Sequence, residues 1–148
     1  MKNKTVAAWL TFLGGPLGLH RLYLFGLGDT LAWLLPIPTT LGLYGLERSM
    51  DYGVDDVLSW WLLPLLGFSI AGNSLMAIVY ALMSKEQWNQ KFNPESDIDS
   101  AAGQTQWLTI GVLVVALMVG ATSLLSGLVY SFQRYFETQI EEARKISQ

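Results

Sequence analysis

Leu13-Gly14-Gly15-Pro16-Leu17-Gly18-Leu19-His20-Arg21-Leu22-Tyr23-Leu24-Phe25-Gly26 joins two apolar segments through the only histidine of the chain and an arginine. Pro16 has no N–H to offer the carbonyl of Phe12, so a helix running through this stretch kinks or loosens at Gly14 and Gly15. In an apolar medium the freed carbonyl needs a partner: a neighbouring helix, water or the Thr11 hydroxyl. A Gly-Gly-Pro break followed by a His-Arg pair is too polar and too irregular for a plain membrane anchor.

The surroundings of this break are those of a membrane protein. The 148 residues are 51% hydrophobic and 14% charged, well below the charged share of about 25% usual in soluble domains. Residues 57–84 and 107–133 are free of charge for 28 and 27 residues, each more than the roughly 20 needed to cross a bilayer core. Residues 5–19 and 30–46 are shorter uncharged runs of 15 and 17, which span if they borrow flanking aromatic residues or tilt less. The expected fold is all-α, a polytopic integral membrane protein of about four transmembrane helices. Three segments are expected: 1–48, a helical hairpin; 49–106, a third span with flanking polar loops; and 107–148, a fourth span and a helical tail.

The same composition excludes several function classes. With no cysteine, disulfides, thiolate catalysis and metal–thiolate sites are impossible. A net charge of −3 without a basic cluster removes nucleic acid as a partner. The start, Met-Lys-Asn-Lys before an apolar run, imitates a secretory signal, but no small-x-small cleavage site precedes a polar region. One histidine, and neither paired intramembrane carboxylates nor a serine–histidine pair, leave no catalytic set. No cofactor or metal is expected.

Small residues supply the packing signals. Ala7, Thr11, Gly14 and Gly18 share one face of the first helix. Thr109, Ala116, Gly120, Ser123, Gly127 and Ser131 fall within about 80° on the fourth. Such faces admit a second helix closely, from the same chain or a partner. In the second span Pro36 and Pro38 release the carbonyls of Ala32 and Leu34, with Thr39 and Thr40 placed to re-satisfy the backbone. Asp29 is expected to cap the second span, and Asp55 or Asp56 the third. Asn73 lies near the middle of the third span, where an amide acts as interhelical glue or as a ligand contact. Residues 85–106 read as a solvated connection, and their alternating acids lack the glycine and terminal glutamate of a calcium loop.

Residues 4–48 resemble the TM2-domain family of small membrane proteins built on a helical hairpin. The resemblance rests on Phe12-Leu13-Gly14-Gly15, Gly18-Leu19-His20-Arg21-Leu22-Tyr23-Leu24 and Gly42-Leu43-Tyr44. It implies a hairpin motif of Gly14, Gly15, Gly18, His20, Arg21 and Tyr23, in a bacterial-type member with two additional C-terminal spans. Leu22 and Phe25 depart from the family's phenylalanine and glycine, and Glu47-Arg48 stands where an aspartate usually ends the second helix. The resemblance implies an interaction or accessory module rather than an enzyme.

Four spans put the N-terminus, residues 47–56 and the tail on one side, with six lysines and arginines against three. The positive-inside rule then places both termini in the cytoplasm of a cell whose inner (plasma) membrane holds the chain. The family resemblance implies the reverse orientation. The function expected is that of a non-enzymatic accessory subunit or interaction scaffold, bound to a membrane-protein partner or to itself through Ala116, Gly120, Ser123 and Gly127. The alternative is a small transporter or channel using the broken first and second helices. Arg21 is expected to be tied to Asp29 or to an acid ending the second span, since an isolated charge in lipid is costly.

Overall fold

The structure is a computed structural model that describes residues 1–53 and 55–147. The described residues form helices α1 (Lys4–Gly14), α2 (Leu19–Phe25), α3 (Thr30–Leu34), α4 (Pro36–Tyr52), α5 (Val57–Leu82), α6 (Lys85–Phe92) and α7 (Trp107–Ile146), with 3-10 turns at Gly15–Leu17 and Ala101–Gly103. The fold is all-helical, as the uncharged runs imply. Two stretches are long and apolar enough to cross a membrane, Val57–Leu82 and Ala101–Ile146. The expectation of four such spans is corrected by the first half of the chain, where glycine and proline cut the apolar sequence into short helices.

The break in the opening stretch produces the largest departure. Helix α1 has 11 residues, about 16 Å at 1.5 Å per residue, only half of a bilayer core of about 30 Å. At Gly15–Gly18 the chain reverses, and α2 returns it to the end from which it started. The Tyr23 hydroxyl accepts the Asn3 N–H at 2.8 Å, and the Lys2 ammonium donates to the Leu24 carbonyl. The first two helices are therefore a short hairpin that turns back on itself, not one long helix.

A knot of polar bonds fixes this end. The Asn93 side chain both accepts from the Lys2 N–H (2.6 Å) and donates to the Lys2 carbonyl (3.0 Å), which also receives the Trp88 indole N–H at 2.8 Å. Lys4 is fully buried and donates to the Met83 carbonyl and the Thr105 hydroxyl. Residues 85–106, expected to be a solvated connection, are instead an ordered cap. Helix α6 starts at a capping box of Ser84 and Gln87, and Trp88 is buried among Tyr80 and Phe92, with ring centroids 5.8 and 4.4 Å away. Asn89 ties down the rest by donating to the Ile98 and Ser100 carbonyls.

From the cap, α3 and α4 descend antiparallel to α5. Gly42 meets Leu66, and Gly45 meets Leu62. At the far end Arg48 forms a forked pair with Asp56 at 2.7 and 3.0 Å. Asp56 also caps α5 through the Ser59 N–H, as expected of this acid pair. The Arg48 guanidinium, followed by the Ser59 hydroxyl, holds its carboxyl down at about 2. Asp29 departs from its expected role: it precedes α3 without a side-chain cap bond, its carboxylate being spent on Arg21.

Helix α7 then runs antiparallel to α5, from Thr109, bonded to Thr5 at 2.6 Å, down to Arg134, which reaches Asp55 at 3.2 Å. The N-terminus and residues 85–105 thus share one end of the bundle, and residues 48–56 and the tail of α7 the other. Both termini were expected on one side; in the structure the N-terminus and the tail of α7 lie at opposite ends of the bundle. The charge count changes with it. Lys2, Lys4, Arg21, Lys85 and Lys91 lie toward the cap end and Arg48, Arg134, Arg144 and Lys145 toward the other. Five against four no longer decides an orientation by the positive-inside rule.

Candidate functional site at the hairpin tip

The hairpin reverses because Gly18 takes a left-handed conformation, φ 76°, and returns its N–H to the Gly15 carbonyl at 2.8 Å. A side chain there would be strained and would also collide with the Ala32 carbonyl oxygen. That carbonyl is the one Pro36 strips of its helical donor, so the bend in one element is fitted against the break in the next. Thr39 completes the joint: its hydroxyl donates to the Pro16 carbonyl at 2.9 Å. Thr39 therefore serves the neighbouring hairpin as well as its own helix.

The hairpin tip rests on α5. A Cβ on Gly15 would lie 2.5 Å from the Asn73 Oδ1, and one on Gly14 would lie 2.7 Å from Leu19. Asn73 is buried and donates to the Ser69 carbonyl at 2.8 Å. The amide thus bonds back to its own helix and packs closely against Gly15 of the hairpin.

His20 and Arg21 part company one turn above. His20, a member of the expected hairpin motif, is 2% exposed, with its ring 6.3 Å from that of Tyr80. Its Nδ1 has no hydrogen-bond partner. Arg21 pairs with Asp29 through Nε and through Nη2, the latter at 3.1 Å, and lies over the Phe25 ring at 4.8 Å. That is the partner the sequence pointed to. Tyr23 closes the hairpin onto the N-terminus.

Between hairpin, α3–α4 and α5 lies an open cavity of about 330 Å³. Its polar wall is His20, Arg21, Ser69 and Asn73, and its apolar wall includes Leu35 and Met76. So the structure brings His20, Arg21 and Asn73 to one cavity and sets Gly14, Gly15 and Gly18 in the joint that shapes it.

The other small residues lie elsewhere, in the seam between α5 and α7. Ala116, Gly120 and Gly127 are buried, and a Gly120 Cβ would stand 2.6 Å from the Cβ of Ser74. The Ser123 carbonyl lies 3.0 Å from where Gly67 would carry a Cβ. The face read as a contact for another helix is met by α5 of the same chain. Beside this seam runs a second, apolar groove of about 420 Å³, floored by Ala71, Gly72, Ser74 and Ala121. The Ser74 hydroxyl is buried there without a hydrogen-bond partner.

Sequence reasoning missed Lys4, Ser74, Trp88 and Asn93. The Ser84–Gln87 spacing is a legible helix start, and it was the one available signal that residues 85–92 are a helix. Nothing local marks Asn93 as a clamp on the N-terminus 91 residues away. No protein-family model, curated protein or solved structure matches this chain.

Proposed function

We propose that the chain is a non-enzymatic integral membrane protein, crossing with α5 and α7 and with the broken pair α3–α4 as a third pass, with α1–α2 a half-depth hairpin, that acts as an accessory subunit by accepting a partner's transmembrane helix along the α5–α7 groove. Supporting the membrane setting are the apolar residues that α7 turns outward, among them Val114, Leu117, Met118, Leu125 and Val129. Exposed irregular backbone does not survive in hydrocarbon, and the hairpin tip meets that condition because it is sheltered by α3 and α5.

The observation that carries the partner reading is the groove itself. Its floor is made of small residues, and Gly72 has nothing within 4 Å of an added Cβ. Close approach of backbones over small residues is a feature that drives helix association in lipid. The original motivation, the stripe through Gly120 and Gly127, is spent inside the chain. The TM2-type reading of residues 4–48 and a plasma-membrane location belong to this proposal and rest on the sequence pattern.

A photo-crosslinking residue at position 117, inside the groove, is expected to give one discrete adduct in native membranes. The same residue at 115, on the opposite side of α7 at about 100° per residue, is expected to give none. Ala121→Leu should reduce the 117 adduct at least tenfold without changing the amount of folded protein. Identical patterns from 115 and 117, or an adduct indifferent to Ala121→Leu, would rule the groove out. An adduct of twice the chain mass would identify a second copy as the occupant. Gly120→Leu is the wrong test, because it strikes Ser74 and unfolds the seam.

A second reading, a small transporter or channel, is favoured by one observation: a proline-broken α3–α4 lies beside a half-depth hairpin, an arrangement that transporters use at binding sites. Ion or solute flux in liposomes, lost on filling the hairpin cavity, is its test.

A further inference from the structure

We infer that the last turns of α7, residues 135–146, are an amphipathic anchor that bends at the membrane exit and lies in the lipid headgroup layer. Helix α7 has 40 residues, about 60 Å at 1.5 Å per residue, whereas a bilayer with its headgroups is about 40–45 Å thick. Arg134 marks the level at which the bundle ends, since it reaches Asp55 just before the start of α5. Every residue from Gln139 to Ile146 is exposed. A straight tail would hold its apolar side chains in water.

The tail is sorted by face. At about 100° per residue, Phe132, Tyr135, Phe136, Ile140, Ala143 and Ile146 fall within an arc of about 140°, broken only by Gln139. Arg134, Glu137, Glu141, Arg144 and Lys145 fall within about 100° on the opposite side. The apolar arc continues the exposed face of the span, Met118, Leu125 and Val129. That face lies opposite Ala116, Gly120 and Gly127, which are buried in the seam with α5. When the helix bends toward its lipid-facing side, the apolar arc turns onto the headgroups and the charged arc turns to water, the arrangement of an interfacial helix. The exit carries the means to bend. Ser131 and Thr138 donate their hydroxyls back to the Gly127 and Arg134 carbonyls, at 2.8 and 2.9 Å, and such bonds bend helices. Two features favour lipid over a second copy as the occupant. Residues 135–146 make fewer than two heptads, against the about three to four of a sustained seam, and pairing in parallel would set Gln139 against its own copy. With three acids against two bases in the segment, its apolar face holds it, and anionic headgroups add nothing.

The anchor rests on the membrane setting proposed above and not on the α5–α7 groove. Because the chain has no cysteine, a single spin label reports on one position. In phosphatidylcholine nanodiscs holding the full chain, a label at Ile140→Cys is expected to meet a water-soluble nickel chelate about fivefold less often than one at Glu141→Cys, and oxygen more often, as an interfacial helix requires. Phe136→Asp puts a charge into the apolar face and is expected to raise nickel access at 140 to the level at 141. Replacing half of the lipid with phosphatidylglycerol should not lower nickel access at 140 further. A label at Leu125→Cys, on the exposed face of the span, is the control and should be shielded from nickel. Equal nickel access at 140 and 141, or shielding at 140 that survives Phe136→Asp, would overturn the anchor while a shielded Leu125→Cys keeps the membrane setting. Nickel access at Leu125→Cys would overturn both. Shielding of 140 from oxygen as well as nickel, with spin–spin broadening, would identify a second copy as the occupant and overturn the lipid assignment.

Discussion

Trp88→Ala is expected to cost about 3–5 kcal/mol of folding free energy, the range for removing a buried tryptophan. Trp88 is fully buried, packs against Tyr80 and Phe92, and donates its indole N–H to the Lys2 carbonyl. Its loss empties the centre of the cap and removes one of the two donors on that carbonyl. The damage should be concentrated at one end. Hydrogen exchange is expected to speed up in residues 84–105 and in the first turn of α1, while the α5–α7 seam near Gly120 stays protected. A loss below about 1 kcal/mol, in the range of an ordinary surface substitution, would mean that the cap does not hold the N-terminus.

Gly18→Ala is the second large effect, and it acts by a different route. The left-handed conformation costs a non-glycine residue about 1–2 kcal/mol, and forcing a methyl into a filled site adds about 1–3 kcal/mol. Here the obstacle is the Ala32 carbonyl, which is backbone and cannot rotate away. A total of about 2–5 kcal/mol is therefore expected in a chemical or thermal denaturation measurement. Gly28→Ala is the control: a Cβ there meets nothing within 4 Å, so the change should be near zero. Equal effects at the two positions would show that the hairpin tip is not seated against α3.

The sequence carried some of this structure openly and hid the rest. The long charge-free runs at 57–84 and 107–133 are self-sufficient signals, because burial of the backbone within a helix needs no other part of the chain. They reappear as α5 and α7. The Gly-Gly-Pro break was equally visible, but its consequence was not. A local kink fits a helix that continues across the membrane as well as one that turns back, and only contacts from Gly15 to Asn73 and from Asn3 to Tyr23 decide between them. Arg21 found Asp29 because eight residues and one turn separate them. Its neighbour His20 is just as polar in the sequence, yet α2 turns it inward toward Tyr80. The small residues of α7 announced a close helix contact but could not announce whose helix it was. In the cap, the polar helix α6 reads as solvated because its buried side chains, Trp88, Asn89 and Phe92, are too few to raise the local hydropathy.

The proposal rests on one geometric feature, that α1 and α2 turn back on themselves and leave the N-terminus at the opposite end of the bundle from the tail of α7. The absence of native cysteine lets single cysteines report it without background. Lys2→Cys is avoided because Lys2 carries the cap bonds, so the positions to use are Met1→Cys, Ser96→Cys, Tyr52→Cys and Glu141→Cys. In oriented membrane vesicles a membrane-impermeant thiol reagent should reach Met1→Cys and Ser96→Cys from one side, and Tyr52→Cys and Glu141→Cys only from the other. Labelling of Met1→Cys from the same side as Glu141→Cys would contradict the half-depth hairpin and restore four full passes.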